Sequence, residues 1–296
     1  MQLIHTQLNL LEPGAHNAPV NRIDSLTAIE LKERGVYRFQ EDLTEKATLD
    51  YLLDFRGSDT LLVILHGATD RSSYQMPRFE WLGTVSKNSD FNSVYFSDPV
   101  LSVDEKIQLA WYTGWKELDC HKIIADRIHL LKEKTRAKHI IIAGSSGGGF
   151  ASLMISAHLE DSVCVPMNPQ TAISAYYVNG TGLGPQRFYA ERVMPHLVPE
   201  GLKEENTPNW AEPMAERLSA VERYSNYPGN KILYVQNVND FHFEDHYLPF
   251  ARSAINGGIG ENFKTVYYSG PHAHVVPTKE IFAEHLIKAA NWSKSS

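Results

Sequence analysis

The feature that most constrains the fold is the stretch from His139 to Ala157, HIIIAGSSGGGFASLMISA. Its first part is a short β-branched run, as in a buried parallel strand, and its second part carries apolar residues at helical spacing. A cluster of glycines lies between them, where a strand would turn sharply into a helix. The stretch therefore predicts a strand, a tight turn and a closely packed helix.

Ser146 stands at the centre of this turn, in a match to G-x-S-x-G over residues 144–148. A serine there has a strained backbone and an exposed hydroxyl, and the amides that open the next helix favour a negatively charged oxygen. The alternatives are a plain glycine-rich turn and a phosphate-binding loop, but no lysine follows the glycines as in nucleotide-binding loops. Ser146 is the candidate nucleophile. Ser145 fits less well, because Ala143 would then occupy the first glycine position.

Strand-like and helical patterns alternate along the chain. Strands are expected at residues 48–55, 61–65, 92–97, 139–144, 162–167, 231–236 and 263–268, and helices at 25–34, 104–134, 147–157, 243–255 and 279–292. Residues 111–115 are a candidate interruption of the helical stretch at 104–134. The first two strands are expected to form a hairpin. This alternation predicts an α/β fold with a mostly parallel central sheet and helices on both faces.

We expect residues 1–47 to be an N-terminal extension packed on the core and residues 48–296 to form one domain. The alternation breaks at about residues 168–226, which are rich in proline, glycine, tyrosine and acidic residues. This segment is interpreted as a cap insertion that shapes a substrate pocket above the carboxyl edge of the sheet. A plain surface excursion is the alternative.

Composition limits the classes of partner. The net charge of −7 argues against binding to nucleic acid or to an anionic membrane. No segment approaches the ~20 apolar residues of a membrane span, and the first residues do not resemble a signal peptide. Cys120 and Cys164 lie in apolar segments, as reduced thiols would. We expect a cytoplasmic protein that acts on a small molecule or a glycan ester without a cofactor; its oligomeric state stays open.

A nucleophilic serine needs a base, and the base needs an acid to orient it. Asp240 follows the strand at 231–236, and both His272 and His274 follow the strand at 263–268. Catalytic groups gather at the carboxyl ends of parallel strands. His274 is the preferred base, because a small residue precedes it and a short segment leads from it to the last helix; His272 is the alternative.

Two alternatives to Asp240 as the orienting acid are Glu244 and Asp245, which come one helical turn later and so point away from the strand end. Asp240 itself could instead be a helix N-terminal acid. A metal site formed by Asp240, His242 and His246 is a further possibility, because two histidines are one helical turn apart. The zinc signature H-E-x-x-H is absent, and we expect no metal.

His66, Gly67 and Ala68 follow the strand at 61–65 directly. The amide of Ala68, or that of Gly67, is expected to form an oxyanion hole with the amide of Gly147. The side chains expected to bind substrate are those of His66, Trp111, Tyr112 and Tyr176, and a structural role is the alternative for His66. Aromatic residues of the 168–226 segment suggest a pocket for a sugar, whose apolar ring faces pack on aromatic rings; they are Tyr176, Tyr177, Phe188, Tyr189 and Trp210.

With these residues in place, the chain resembles the α/β-hydrolases over residues 48–292. Within that superfamily it is similar to proteins of bacterial surface glycans, namely capsular-polysaccharide biosynthesis proteins and the O-acetyltransferases of accessory adhesin secretion. The motifs that carry this likeness are HGA at 66–68, PRF at 77–79, FSDP at 96–99, AWY at 110–112, SSGGGFA at 145–151, NPQT at 168–171 and NDFH at 239–242.

The resemblance implies acyl transfer to or from a carbohydrate through an acyl-enzyme on Ser146. With water as acceptor the protein would be an esterase or deacetylase, and with a sugar hydroxyl it would be an O-acetyltransferase. A third possibility, of another class, is a non-catalytic glycan-binding or scaffold module in a biosynthetic complex. The set of Ser146, Asp240 and His274 argues against that third possibility.

Overall fold

The computed structural model describes residues 20–22, 31, 33–177, 182–203 and 209–295. Its strands are β1 Val20–Arg22, β2 Gly35–Asp42, β3 Thr48–Phe55, β4 Thr60–Leu65, β5 Asn92–Phe96, β6 Gly114–Trp115, β7 Leu118–Asp119, β8 His139–Ser145, β9 Ser162–Met167, β10 Lys231–Asn237 and β11 Phe263–Tyr268. Its α-helices are α1 Leu82–Asn88, α2 Cys120–Thr135, α3 Gly147–Ser156, α4 Gly184–Val193, α5 Ala215–Leu218, α6 Ala220–Arg223, α7 Leu248–Asn256 and α8 Lys279–Lys294.

Nine of the described strands form one sheet in the order β1-β2-β3-β5-β4-β8-β9-β10-β11. The six strands from β5 to β11 in this order run parallel, and β3 pairs antiparallel with both β2 and β5. The prediction of a mostly parallel sheet is confirmed. Because the six parallel strands point the same way, the loops after them meet at one edge of the sheet.

Helices cover both faces of the sheet, as the sequence predicted. On β4, Leu61 and Val63 belong to the apolar core that α2 completes, whereas Leu62 and Ile64 belong to the core formed with α1 and α8. Both sets are buried. A strand buried on both faces needs a continuous apolar run, which is what residues 61–65 supply.

The hairpin at the start of the sheet differs from the prediction. β3 pairs with β2 and β5, and β4 lies between β5 and β8, so residues 48–55 and 61–65 are not neighbours in the sheet. β2, within the segment predicted as an N-terminal extension, pairs with β3 and extends the sheet; the domain division at residue 47 stays a prediction. The helix predicted at 25–34 falls mostly on residues outside the described part of the chain.

The helix predicted over 104–134 is also shorter than that range, and it begins only after the candidate interruption at residues 111–115. Only α2 is helical, and it begins at Cys120, where Asp119 caps it by accepting a hydrogen bond from the Lys122 amide. Trp111 and Tyr112 before it have positive φ angles of 52° and 58°. A carboxylate oxygen of the buried Asp98 accepts from the Tyr112 amide at 2.9 Å. Tertiary packing of two large aromatic residues therefore overrides the helical periodicity of this segment.

The described residues between β9 and β10 form short helices and turns, among them α4, α5 and α6. They pack at the carboxyl edge of the sheet through aromatic rings: Tyr189 and Tyr176 both meet Trp111 edge to face, at 5.3 and 6.0 Å between ring centroids. That this segment is a cap stays a prediction. Among the described residues no helix has both the length and the apolar character needed to cross a membrane.

Candidate active site

Three loops at the carboxyl edge bring Ser146, His274 and Asp240 together. Ser146 follows β8, Asp240 follows β10 and His274 follows β11. His274 Nε2 lies 2.8 Å from Ser146 Oγ, and His274 Nδ1 lies 2.7 Å from Asp240 Oδ2. The serine hydroxyl can thus donate to the imidazole, and the imidazole can donate to the carboxylate, which is the geometry of a nucleophile, base and orienting acid.

Ser146 occupies a strained position between strand and helix. Its φ is 56° and its ψ is −120°, a backbone conformation that a residue with a Cβ rarely adopts. The side chain of Ser146 is half-buried, so its hydroxyl can be reached from the loop edge. Ser145, by contrast, is 1% exposed, and its Oγ has no hydrogen-bond partner among the described residues. The structure therefore presents Ser146 rather than Ser145.

The glycines of this turn are required by close packing. A Cβ on Gly148 would lie 2.3 Å from the Leu65 carbonyl oxygen, and a Cβ on Gly144 would lie 2.4 Å from the Gly148 carbonyl. These distances are too short for any side chain, so α3 can start this close to β4 and β8 only with glycine at both positions. Because α3 begins at Gly147, directly after Ser146, we expect its first amides to face the space beside Ser146.

Asp240 is held as a carboxylate inside the protein. Its side chain is fully buried, and its second oxygen, Oδ1, accepts from His242 Nδ1 at 2.9 Å. Burial by itself raises the pKa of Asp240, but the hydrogen bonds from His242 and His274 outweigh burial and leave the pKa below its ordinary value. Asp240 is therefore charged at neutral pH.

The loop that carries His274 is fixed by a buried asparagine. Asn237, at the end of β10, accepts from the Gly270 amide at 2.8 Å and donates to the Pro271 carbonyl at 2.9 Å. These bonds set the path of the chain from β11, so that His274 turns inward. His272 is exposed and has no hydrogen bond with a described residue. The structure thus brings His274, and not His272, to Ser146.

Among the amides proposed for an oxyanion hole, that of Gly67 is already used. It donates to Glu80 Oε2 at 3.2 Å, and Arg78 donates to the Ala68 carbonyl at 2.8 Å. Arg78 and Glu80 also pair with each other at 2.7 Å, so the two side chains brace the loop after β4. Ala68 is exposed and its amide has no partner among the described residues. Ala68 is therefore the better donor beside Gly147, and Gly67 serves the loop instead.

Three of the four side chains expected to bind substrate lie in the interior. His66, Trp111 and Tyr112 are 2%, 0% and 1% exposed. The His66 ring donates from Nδ1 to the Gly67 carbonyl and accepts at Nε2 from the Asp98 amide, and the Tyr112 hydroxyl lies between the His66 amide and the Phe96 carbonyl. Their burial and internal hydrogen bonds place these three residues beneath the site, which argues against direct contact with a substrate; a role in substrate binding stays a prediction.

Tyr176 differs from those three because it lies at the site itself. It is 8% exposed and its ring stacks on that of His242, with centroids 5.8 Å apart. Burial, and then the charge of Asp240, raise the pKa of Tyr176, so its hydroxyl stays protonated. Tyr176 remains a candidate for substrate contact.

The sequence interpretation gave no role to Gln170, although the structure places it against the serine. Gln170 Nε2 donates to Ser146 Oγ at 3.0 Å and lies 3.1 Å from His242 Nε2. Gln170 and His242 are both buried. Their signal in the sequence was their position: each is a polar residue a few positions after a buried strand, in the same setting as Asp240.

The alternative metal site is not assembled as the sequence spacing suggested. The grouping that could hold an ion among the described residues is Asp240, His242 and His274, whose donor atoms lie within 4.8 Å of one another. Both ring nitrogens of each histidine already face a protein partner in this grouping. His246, a member of the spacing-based set, instead accepts at Nδ1 from the Thr171 amide at 3.1 Å. The contacts account for the cluster as a hydrogen-bonded network.

A groove of about 410 Å³ opens beside the Asp240 loop. Its lining residues are Val238, Asn239, Asp240, Phe241, Phe243, Glu244, Asp245, His272 and Ala273. Glu244 and Asp245, the alternative acids, are exposed on its wall and make no hydrogen bond to the His274 ring. They are therefore placed away from the catalytic geometry, as helical spacing predicted.

Comparison with known proteins gives likeness of structure alone. No family model matches the chain, and no curated protein sequence matches it. Solved structures do resemble it, at 12–16% sequence identity. One is the Glycosylation Associate Protein (Gap123) complex from Streptococcus agalactiae, with a TM-score of 0.58 and 15% identity. The match covers 86% of this chain but 45% of that chain, so the protein spans less than half of it.

Two further structures match over most of both chains. Est1E from Butyrivibrio proteoclasticus has a TM-score of 0.53 and 14% identity, over 88% of this chain and 99% of that chain. The capsule O-acetyltransferase of Neisseria meningitidis serogroup A has a TM-score of 0.54 and 12% identity, over 86% and 93%. With esterases and an acetyltransferase among its structural neighbours, and a strand-turn-helix serine at the edge of a mostly parallel sheet, this chain has the α/β-hydrolase fold.

Proposed function

We propose that the protein is a serine hydrolase or acyltransferase that forms an acyl-enzyme through Ser146 on a small carboxylic ester. The observation that carries the proposal is the continuous hydrogen-bonded path from Ser146 Oγ through His274 to Asp240, at 2.8 and 2.7 Å. The strained backbone of Ser146 and the amide of Ala68, which has no partner among the described residues, support it. A non-catalytic module would have no need for this combination of features.

The first half-reaction follows from this geometry. Ser146 Oγ attacks the ester carbonyl carbon while its proton passes to His274 Nε2, and the carbonyl π electrons move to the oxygen. The amides of Ala68 and Gly147 would hold that oxygen as it becomes negative. His274, steadied by charged Asp240, then gives its proton to the departing alcohol, which leaves an ester between the acyl group and Ser146.

The acceptor in the second half-reaction determines whether the protein is a hydrolase or an acyltransferase. A water molecule that gives its proton to His274 and attacks the acyl carbon makes it an esterase or deacetylase, and a sugar hydroxyl in the same place makes it an O-acetyltransferase. The residues of the path are the same in both cases. Structural neighbours of both kinds, Est1E and the capsule O-acetyltransferase, support this pair of outcomes.

We further propose an acetylated carbohydrate as the substrate. Its support is the glycosylation and capsule context in the names of two structural neighbours, together with the motifs of the resemblance. The aromatic residues first offered as a sugar platform give less support, since Tyr189 and Trp210 are 0% and 5% exposed and pack against the body of the protein. Tyr176, which stacks on His242 at the site, remains a candidate for contact with the substrate. The cytoplasmic location stays a prediction from the sequence.

A labelling experiment tests the proposed chemistry. A fluorophosphonate probe should label the wild-type protein, and Ser146→Ala should abolish both labelling and turnover of p-nitrophenyl acetate. Ser145→Ala is the matched control, because the Ser145 hydroxyl is adjacent to Ser146 in the sequence but buried. This variant should retain both labelling and turnover. Labelling that persists in Ser146→Ala would show that another residue is the nucleophile. A wild-type protein that neither labels nor turns over the ester would favour the non-catalytic module instead.

The substrate class needs a separate comparison. Turnover of p-nitrophenyl acetate, p-nitrophenyl octanoate and an acetylated sugar should rank the octanoate last. With the sugar ester, added free sugar should divert acetyl groups from water if the protein is a transferase. A preference for the octanoate would refute the proposal of a small acyl group. Turnover of the acetylated sugar no better than that of p-nitrophenyl acetate would refute the proposal of a carbohydrate substrate.

A further inference from the structure

Gln170 is the second protein group, besides His274, whose side chain reaches the reacting oxygen. It follows β9 and is 0% exposed. Its amide nitrogen donates to Ser146 Oγ at 3.0 Å and lies 3.1 Å from His242 Nε2, while its amide oxygen lies 3.1 Å from Trp111 Nε1. Every polar atom of this side chain therefore has a partner, and one partner is the candidate nucleophile.

Trp111 decides which way the Gln170 amide points. An indole N–H can only donate a hydrogen bond, so the atom that faces it must be the amide oxygen. The amide nitrogen is then directed at Ser146 and His242. Trp111 is itself 0% exposed and packed edge to face by Tyr189 and Tyr176, so the donor that fixes Gln170 is rigid.

The same constraint sets the protons on His242. Because Gln170 donates to Nε2, that nitrogen must accept, and the proton of the neutral ring lies on Nδ1, from which it donates to Asp240 Oδ1 at 2.9 Å. The result is a closed ring of hydrogen bonds. From Ser146, one branch reaches Asp240 through His274, and the other reaches it through Gln170 and His242.

This ring fixes the rotation of the serine hydroxyl. The Ser146 oxygen carries one hydrogen and two lone pairs. The hydrogen points at His274, one lone pair accepts from Gln170, and one lone pair remains for attack. A serine held by His274 alone would lack the second constraint.

We propose that Gln170 is a catalytic residue that assists departure of the serine oxygen in the second half-reaction, with Trp111 as its positioning residue. This inference rests on the proposed function. In that half-reaction the acceptor attacks the acyl carbon and gives its proton to His274. The tetrahedral intermediate then collapses: the bond between carbon and Oγ breaks, its electron pair stays on Oγ, and Oγ recovers the proton from His274.

The hydrogen bond from Gln170 acts most strongly on that step. The ester oxygen of an acyl-enzyme is a weak acceptor, and it becomes a strong one as it leaves with negative charge. The bond from Gln170 therefore strengthens toward the transition state of collapse, which is the condition for acceleration. In the first half-reaction Oγ passes through a similar partly charged state, but it starts as a hydroxyl oxygen, which already accepts a hydrogen bond well, so the gain from Gln170 is smaller there.

Gln170→Met tests the inference, because it keeps the length of the side chain and removes both donors. Stopped-flow measurement with p-nitrophenyl acetate separates the burst of p-nitrophenolate, which reports acylation, from the steady state, which reports deacylation. We expect deacylation to fall by about 10- to 100-fold, as for loss of a donor to a developing oxyanion, and acylation to fall by a clearly smaller factor. A burst should therefore appear or grow relative to wild type.

Gln186→Met is the matched control. Gln186 is also 0% exposed and also accepts from an indole, that of Trp210 at 3.0 Å, but its amide nitrogen donates to the backbone carbonyls of Ser174 and Tyr176. Gln186→Met should lower the free energy of unfolding about as much as Gln170→Met does. It should leave the ratio of the acylation rate to the deacylation rate as in wild type.

Trp111→Phe gives an independent check, because it keeps an aromatic ring and removes the donor that orients Gln170. It should shift the same ratio in the same direction as Gln170→Met, by a smaller factor. Equal loss of acylation and deacylation in Gln170→Met, or a ratio that matches that of Gln186→Met, would overturn the inference while leaving the proposed function intact. A wild-type protein that shows neither labelling nor turnover would refute both the proposed function and the inference about Gln170.

Discussion

Asp240 and His274 are 34 residues apart in the sequence, yet Asp240 Oδ2 and His274 Nδ1 are 2.7 Å apart. The reason is that β10 and β11 are parallel neighbours in register, with Asn237 opposite Tyr268 at their carboxyl ends. Each side chain is carried by the short loop after its strand. Asn237 joins the two loops, so the contact depends on the sheet and not on any local sequence pattern.

We first predict that His274→Ala removes the activity that Ser146 supports, because no other described base reaches Ser146 Oγ from a position that Asp240 can orient. Turnover of p-nitrophenyl acetate should fall by orders of magnitude, and fluorophosphonate labelling should slow in parallel. His272→Ala is the control, two residues away on the same loop and exposed, and it should keep turnover within a few-fold of wild type. Comparable losses in both variants would contradict the assignment of the base.

We next predict that Asp240→Asn gives a folded protein whose turnover is lower by about 10⁴, the loss seen when the acid of such a triad is neutralised. The introduced amide would present an N–H to one of the two histidine N–H groups, which breaks one hydrogen bond and favours the wrong tautomer of His274. Circular dichroism should be unchanged. Asp245→Asn is the control, since Asp245 is exposed on the groove wall; a loss of similar size there would make Asp245 the orienting acid.

These residues also show what the sequence could predict. The strand, turn and helix around Ser146 were recognisable because glycine spacing and apolar periodicity are local properties. Asp240 and His274 were predictable because strand ends of a parallel sheet meet at one edge. The roles of Trp111 and Tyr112 were not, because their burial depends on residues distant in the sequence, such as Asp98 and Gln170.

The same limit explains the missed strand and the overlong helix. β2 carries polar residues at several positions, as an outer strand of the sheet can, so its pattern is weaker than that of β4. The segment before α2 carries apolar residues at helical spacing, but it is packed in positive-φ conformations against the core. In both places tertiary contacts decided the structure, and no periodicity of the chain itself records them.

The last prediction concerns acid stability, because four buried histidines have lowered pKa values. They are His66, His121, His242 and His246, which are 2%, 1%, 0% and 0% exposed. Burial lowers the pKa of His66 to about 3 and those of His121 and His242 to about 4, and it lowers the pKa of His246 well below the ordinary value of 6.5. The native state therefore keeps these rings neutral at pH values where the unfolded chain binds protons.

The sign of the pH dependence follows from this difference. Between pH 6.5 and about 4 the unfolded chain holds more protons on these rings than the native state does. The free energy of unfolding therefore falls as pH falls, by up to about 1.4 kcal/mol per pH unit for each histidine. Above pH 6.5 this stability is fully present. Asp98 opposes this trend, because burial raises its pKa to about 7. In this pH range the native state therefore binds one proton at Asp98 that the unfolded chain does not.

Urea titrations at several pH values should accordingly give a positive slope of unfolding free energy against pH between pH 4 and 6.5. His121→Gln, which can still donate to the Trp111 carbonyl, should reduce that slope by about one proton, because it removes one group that binds a proton only on unfolding. His129→Gln, at a side chain that is 65% exposed, should leave the slope unchanged. Equal slopes in all three proteins would show that His121 takes up its proton in the native state.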